Sequence, residues 1–205
     1  MKLVILGASG ATGLELTRQA LARGHEVLAV ARDPARIALP DAPNLRRARA
    51  DVHDPASVAR ALGAGATVLS ALGASDRGAA GVLEAGARAL VAARPARLVW
   101  MGAYGSGASA QAAGLATRTL LSLMGARLAD KVRADTLVLA AGGSVFHAGP
   151  LSNEALSATR RTVGLDAAPR RFFPARVSRA TVAAAMLDEA ESPRFPGRIA
   201  LPLAR

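Results

Sequence analysis

Three glycines at a spacing of three, Gly7, Gly10 and Gly13, follow directly on the apolar run Leu3 to Leu6 in the opening MKLVILGASGATGLELTRQALARGHEVLAV. A strand that ends in Gly7 must bend at once into the helix pattern behind it, and glycine reaches backbone angles closed to other residues. Gly10 then leaves room for a phosphate to approach the main chain, and Gly13 lets the new helix press on the strand. The free amides of the first helical turn, those of Ala11, Thr12 and Gly13, lie where the aligned peptide dipoles favour an anion, here a diphosphate. Ser9 and Thr12 offer hydroxyl donors beside them. Glycines at this spacing also occur in plain structural turns; their place between a strand and a helix is what points to a ligand.

The same alternation continues along the chain. Apolar runs at Leu3–Leu6, Val27–Val30, Leu45–Ala48, Thr67–Ala71, Leu98–Met101 and Ser144–His147 read as strands, and helices are expected at about 12–23, 55–62, 78–93 and 115–141. Strands without polar alternation suit a parallel sheet covered on both faces, so the fold expected is α/β: one Rossmann-type, doubly wound domain over residues 1–205. Asp54-Pro55 supplies a cap with proline in the first helical position, and Gly24 is a helix stop. The segment GAYGSGASAQAAG, Gly102 to Gly114, is the one flexible-looking stretch, and it follows the fifth strand, where open α/β sheets bind ligands. After the sixth strand the pattern weakens into loop and short strand, then Ser178–Ala190 reads as a last helix before the strand-like RIALPL.

Composition narrows the chemistry. No cysteine is present, which excludes disulfides, thiolate catalysis and Cys-ligated metal clusters, and three scattered histidines make a poor metal site. Redox work would need a borrowed cofactor. No apolar stretch has the ~20 uninterrupted residues of a membrane span, and the N-terminus lacks the cleavage pattern of a secretory signal, so a soluble, cytoplasmic protein without a membrane partner is expected. The net charge of +11 raises nucleic acid as a partner. Against it, only Lys2 and Lys131 are lysines, the arginines are spread along the chain, and aromatic residues for base stacking make up 3%. A small-molecule substrate is the expected partner, with the chain acting as monomer or homodimer.

The end of the second strand, VLAVARDPAR, decides which dinucleotide fits. An acidic residue there serves the ribose of NAD, and an arginine the extra phosphate of NADP. Arg32, with Arg36 one turn on, favours NADP through planar, charge-assisted bonds. Asp33 is the counter-evidence, although Asp33-Pro34 also reads as an ordinary turn or cap.

Taken together, GASGATG after the first strand, ARDPAR after the second, ADVHDPASVARAL after the third and LADKVRADTLVLAAGG before SVFHAGPL resemble the atypical short-chain dehydrogenases/reductases. The pattern is similar to the small NAD(P)H-binding group that includes biliverdin-IXβ/flavin reductase and the NmrA-like regulators. The resemblance implies that Asp51 and Val52 border the adenine, and that Ala71, Leu72 and Gly73 border the linking phosphates and ribose. It places Met101 and Gly102 beside the nicotinamide, and Lys131 where a helix lysine holds the nicotinamide ribose. Gly149 and Pro150 match the segment after the sixth strand, with His147 where an arginine is common, and residues of about 149–178 form a small substrate-side region.

The chain departs from many short-chain reductases at the catalytic centre. A Tyr-x-x-x-Lys pair, in which lysine lowers the tyrosine pKa, is absent. Tyr104, the only tyrosine, is left as candidate acid, as a cover for the nicotinamide, or as a packed loop residue; Ser70 and Ser106 are weaker candidates. Hydride transfer to a flavin or quinone does not require a protein acid. An NADPH-dependent reductase acting on a flavin, quinone, tetrapyrrole or small carbonyl is therefore expected, with Tyr104 and Lys131 as catalytic candidates. A dinucleotide-binding regulator without chemistry is the alternative.

Overall fold

The computed structural model describes residues 1–73, 81–111, 113, 125–169 and 175–204. Its central sheet is built from β1 (Lys2–Leu6), β2 (Glu26–Ala31), β3 (Leu45–Arg49), β4 (Thr67–Ser70), β5 (Arg97–Ala103), β6 (Ser144–Ala148), β8 (Arg161–Gly164) and β10 (Ile199–Leu203). The helices are α1 (Ala11–Ala22), α2 (Pro55–Leu62), α3 (Val82–Ala92), α4 (Ala126–Ala140) and α5 (Arg179–Glu191). Strand order is β3-β2-β1-β4-β5-β6-β10-β8, parallel from β3 to β10 and antiparallel at the β8 edge. Short strands β7 (Leu151–Ser152) and β9 (Val177–Ser178) pair separately.

Successive residues of a strand point to opposite faces. In β1, Leu3 and Ile5 pack with Leu16 and Ala20 of α1 and Val182, Met186 and Leu187 of α5. Val4 and Leu6 enter the other layer, with Val58 of α2, Leu83 and Leu90 of α3 and Val138 of α4. Two buried faces explain why these strands carry no polar alternation, and each fully covered large side chain contributes about 1.5–3 kcal/mol.

Helix ends follow local chemistry. The Asp54 side chain accepts from the Ser57 amide with Pro55 behind it, and Ser178 Oγ accepts from the Thr181 amide at the start of α5. Gly24 follows α1 at φ +78°. Helix α3 is capped from a distance: buried Asp130 on α4 accepts from the amides of Leu83 (3.2 Å) and Glu84 (2.9 Å). Of the helix expected at 78–93, Val82–Ala92 is helical behind Gly81 at φ +100°, and 78–80 lies outside the described residues. Of the helix expected at 115–141, Ala126–Ala140 is helical, and 114–124 lies outside the described residues. RIALPL forms β10, which inserts between β6 and β8.

Candidate functional site

The strand order reverses between β1 and β4, and the turns leaving these two strands meet. The Gly7 and Ala8 amides both donate to the Val30 carbonyl, at 3.0 and 3.1 Å, tying the first turn to β2. Gly7 has φ +80°, and a β-carbon there would lie 2.9 Å from the Ala71 carbonyl oxygen at the end of β4. At Gly13 a β-carbon would lie 2.1 Å from the Gly7 oxygen and 2.8 Å from Ala8 Cα. Both glycines are therefore demanded by the chain's own packing. Gly10 is different: its φ is −81°, and among the described residues a β-carbon would meet only the Gly7 oxygen, at 3.4 Å. It sits at the exposed N-cap of α1, where no side chain among the described residues satisfies the first-turn amides. Ser9 is half-buried beside it and Thr12 is buried.

At the end of β2, Ala31 is buried while Arg32, Asp33 and Arg36 are exposed. Asp33 Oδ1 accepts from the Ala35 amide at 3.1 Å, capping the short turn Pro34–Arg36. After β3, Asp51 Oδ1 accepts from the His53 amide, and Val52 is buried. Gly86 of α3 leaves room for its neighbours, since a β-carbon there would meet Leu72 Cδ1 at 2.4 Å and Val52 Cγ1 at 3.4 Å. Val52 and Leu72 thus meet over Gly86, and Ala71 and Leu72 abut the glycine turn at Gly7.

On the other side of the switch point lie Met101 and Gly102, both half-buried at the end of β5. Lys131, half-buried on α4, is pushed below its ordinary pKa by burial, and the carboxylates of Asp135 and Asp130 pull it part of the way back. Burial pushes the Tyr104 phenol above its ordinary value, so it stays protonated across the neutral range. The Tyr104 amide donates to the Ala148 carbonyl at 2.8 Å. Tyr104, His147 and Gly149 line a small open pocket together with Pro169, Ala175 and Leu201–Leu203. Pro150 is exposed, with its carbonyl accepting from the Val177 amide. Ser106 Oγ donates to the Ala103 carbonyl, and Ser70 Oγ is buried with no hydrogen-bond partner among the described residues.

Among the described residues, the sequence reading missed Asp135 and Ser109, which hold His147 from its two ring nitrogens. One signal was present: Asp135 stands one turn beyond Lys131 on the face of α4 that also carries buried Ala134 and Val138.

A family model described as NAD(P)H-binding matches residues 7–193. The chain belongs to this NAD(P)H-binding family. A nicotinamide dinucleotide is accordingly its cofactor, and the geometry at Gly10 fits one: among the described residues no packing requires a glycine there and no side chain pairs with the first-turn amides, where a phosphate oxygen would need the space. No curated protein matches the sequence.

Solved members of the same fold are similar over nearly their whole length. An oxidoreductase, ylbE of Lactococcus lactis, is 17% identical with a TM-score of 0.82, covering 100% of this chain and 91% of its own. ChuY of Escherichia coli O157:H7, an anaerobillin reductase, is 19% identical with a TM-score of 0.77, covering 99% and 97%. A short-chain dehydrogenase/reductase of Veillonella parvula, solved with NADP, is 16% identical with a TM-score of 0.80, covering 98% and 93%. At these identities the shared property is the Rossmann-like fold. No helix among the described residues is long and apolar enough to cross a membrane.

Proposed function

We propose that this protein is an NADPH-dependent reductase that passes a hydride to a small conjugated acceptor, such as a flavin, quinone or tetrapyrrole, or to a small carbonyl compound. The observation that carries the reading is the pocket walled by Tyr104 and His147 immediately beyond Gly102, at the strand ends where the family holds its nicotinamide. Solved proteins of the same fold that are named as an oxidoreductase and an anaerobillin reductase support it. The bound dinucleotide supplies the hydride. The chain's part is to cradle the diphosphate at Gly7–Gly13, to border the adenine with Asp51 and Val52, and to border the phosphates and ribose with Ala71, Leu72 and Gly73. Met101, Gly102, Gly149 and Pro150 flank the reacting ring, and the region 149–178 forms the acceptor's side. The protonated Tyr104 phenol can deliver a proton to the reduced acceptor, as can water.

NADP is preferred over NAD because Arg32 is exposed at the end of β2, whereas one oxygen of Asp33 is already engaged in capping Pro34–Arg36. Arg32→Asp is expected to weaken NADPH about a hundredfold, the worth of a strong charge-assisted pair, and to leave NADH within a few-fold. Equal losses for both, measured by calorimetry, would remove the phosphate argument.

Lys131 is assigned to the nicotinamide ribose. Its folded pKa lies below the unfolded value, so the unfolded chain binds more protons between the two and stability rises with pH across that alkaline window. Lys131→Met should flatten this rise while weakening dinucleotide binding about tenfold, roughly one charged hydrogen bond. Denaturant titrations from neutral to alkaline pH, with a binding isotherm at each end, check both.

A non-catalytic regulator is the second reading, favoured by Arg127 in the place four residues before Lys131 where many short-chain reductases carry tyrosine. NADPH oxidation followed with a panel of flavins, quinones and carbonyls separates the two. If every acceptor is inert while NADPH still binds, the regulator reading replaces the reductase.

A further inference from the structure

Beneath the pocket, several segments converge on one buried carboxylate. Asp135 of α4 is 5% exposed; its Oδ1 accepts from Trp100 Nε1 at 3.0 Å, and its Oδ2 lies 3.0 Å from His147 Nε2. The other imidazole nitrogen, Nδ1, is 2.7 Å from Ser109 Oγ, which accepts the Gly105 amide at 2.8 Å and lies 3.0 Å from the Ser106 carbonyl. Trp100, His147 and Ser109 are all essentially fully buried. A carboxylate only accepts, so His147 carries a proton on Nε2. Ser109 has one proton and two acceptors, Nδ1 and the Ser106 carbonyl, and so bridges in either charge state of the ring.

The sheet does not need this arrangement to hold together. Strands β5 and β6 already pair from Val99 to Ala103, and α4 is already tied to α3 through Asp130. A well-packed apolar residue would occupy position 135 at lower cost than a buried charge. What the network touches instead is the crevice end of β5 and β6 and the loop that carries Tyr104. The chain also forgoes a side chain at Gly102 to accommodate it, since a β-carbon there would lie 2.6 Å from His147 Cδ2 and 3.0 Å from Asp135 Oδ1. The loop is stapled to β6 twice, by the Tyr104 amide on the Ala148 carbonyl and by Ser109 on His147.

We propose that Asp135 is the positioning residue of the acceptor pocket, fixing the His147 wall and, through Ser109, the Tyr104 loop at the separation an acceptor ring requires. Its role toward an acceptor presupposes the reductase reading above, whereas the ordering of the loop does not. Asp135→Asn is a close isostere: its amide can hold Nε2 only through the Nδ1–H tautomer, a neutral bond in place of a charge-assisted one of about twice the strength, so the variant can fold with the hold on His147 and Ser109 weakened. Ser109→Ala cuts the relay at its far end and leaves Asp135 intact.

Both variants are read by amide hydrogen exchange, by calorimetry with NADPH, and by steady-state kinetics with 1,4-naphthoquinone and FMN. The Gly105 amide is expected to exchange about tenfold faster while β1 and β4 are unchanged, with NADPH affinity within about twofold of the parent. KM for the acceptor should rise about tenfold with a smaller change in kcat, because the loss is in clasping the ring. Unchanged Gly105 exchange in folded variants overturns the proposal, as does an unchanged KM or a loss of NADPH affinity as large as the rise in KM. If the parent protein reduces neither these two nor any other member of the acceptor panel although NADPH binds, the reductase reading falls, and Asp135's role toward an acceptor falls with it.

Discussion

Alanine in place of Gly10 is expected to leave the protein folded and to weaken dinucleotide binding by at least about a hundredfold, about 2.7 kcal/mol. The position has an ordinary φ of −81° and a new methyl would meet only the Gly7 oxygen, at 3.4 Å. The cost to the free protein is then the difference between glycine and alanine as an N-cap, about 0.5–1 kcal/mol, or about 2 °C in Tm for a chain of this length. The methyl would, however, stand where a phosphate oxygen has to reach the first-turn amides of α1. Gly13→Ala is the control of opposite kind. Its β-carbon would overlap the Gly7 oxygen at 2.1 Å, so α1 must lift from β1, costing about 3 kcal/mol and about 10 °C, with binding lost as a by-product. Thermal melts and calorimetry on the two variants separate a ligand glycine from a packing glycine. Parental affinity in Gly10→Ala would show that no phosphate sits there.

The second large effect lies at the opposite end of the strands. Glu189 on α5 is 2% exposed, and its carboxylate holds three donors: Ser144 Oγ at 2.7 Å, and the amides of Phe195 and Arg194, both at 2.9 Å. It thereby joins the end of α5 to the start of β6 and to the turn that leads into β10. Glu189→Ala leaves those donors buried without an acceptor, at about 1–3 kcal/mol for each that water cannot reach. A net loss of about 3–4 kcal/mol, or about 10 °C in Tm, is expected. Dinucleotide affinity should not change, because these groups lie at the N-terminal end of β6 and the crevice is at the other. A melt within about 2 °C of the parent would mean that water replaces the carboxylate without penalty.

Much of the fold was legible locally because its determinants are local. Leu3–Leu6 and Val27–Val30 are apolar on both faces, Asp54-Pro55 caps and opens α2, and Gly24 ends α1; each works within a few residues of itself. The cap of α3 is not legible locally, because Asp130 comes from a helix 46 residues away. The glycine turn was readable for the same local reason: strand, turn and helix are contiguous in GASGATG. The acceptor side was not, since His147, Asp135, Ser109 and Trp100 come from separate segments that only packing brings together, and no spacing in the chain encodes their meeting.

By itself the sequence determined that a parallel, doubly covered sheet would form and that its first turn would present bare amides to an anion, because both depend on periodicity and backbone freedom within short windows. The tertiary structure alone decided that β10 slots between β6 and β8, and that Gly10 is the glycine the protein does not need for itself. It also brought one buried carboxylate, Asp135, against Trp100 and His147, since each of these rests on contacts between residues far apart in the chain, whose partners are chosen by packing.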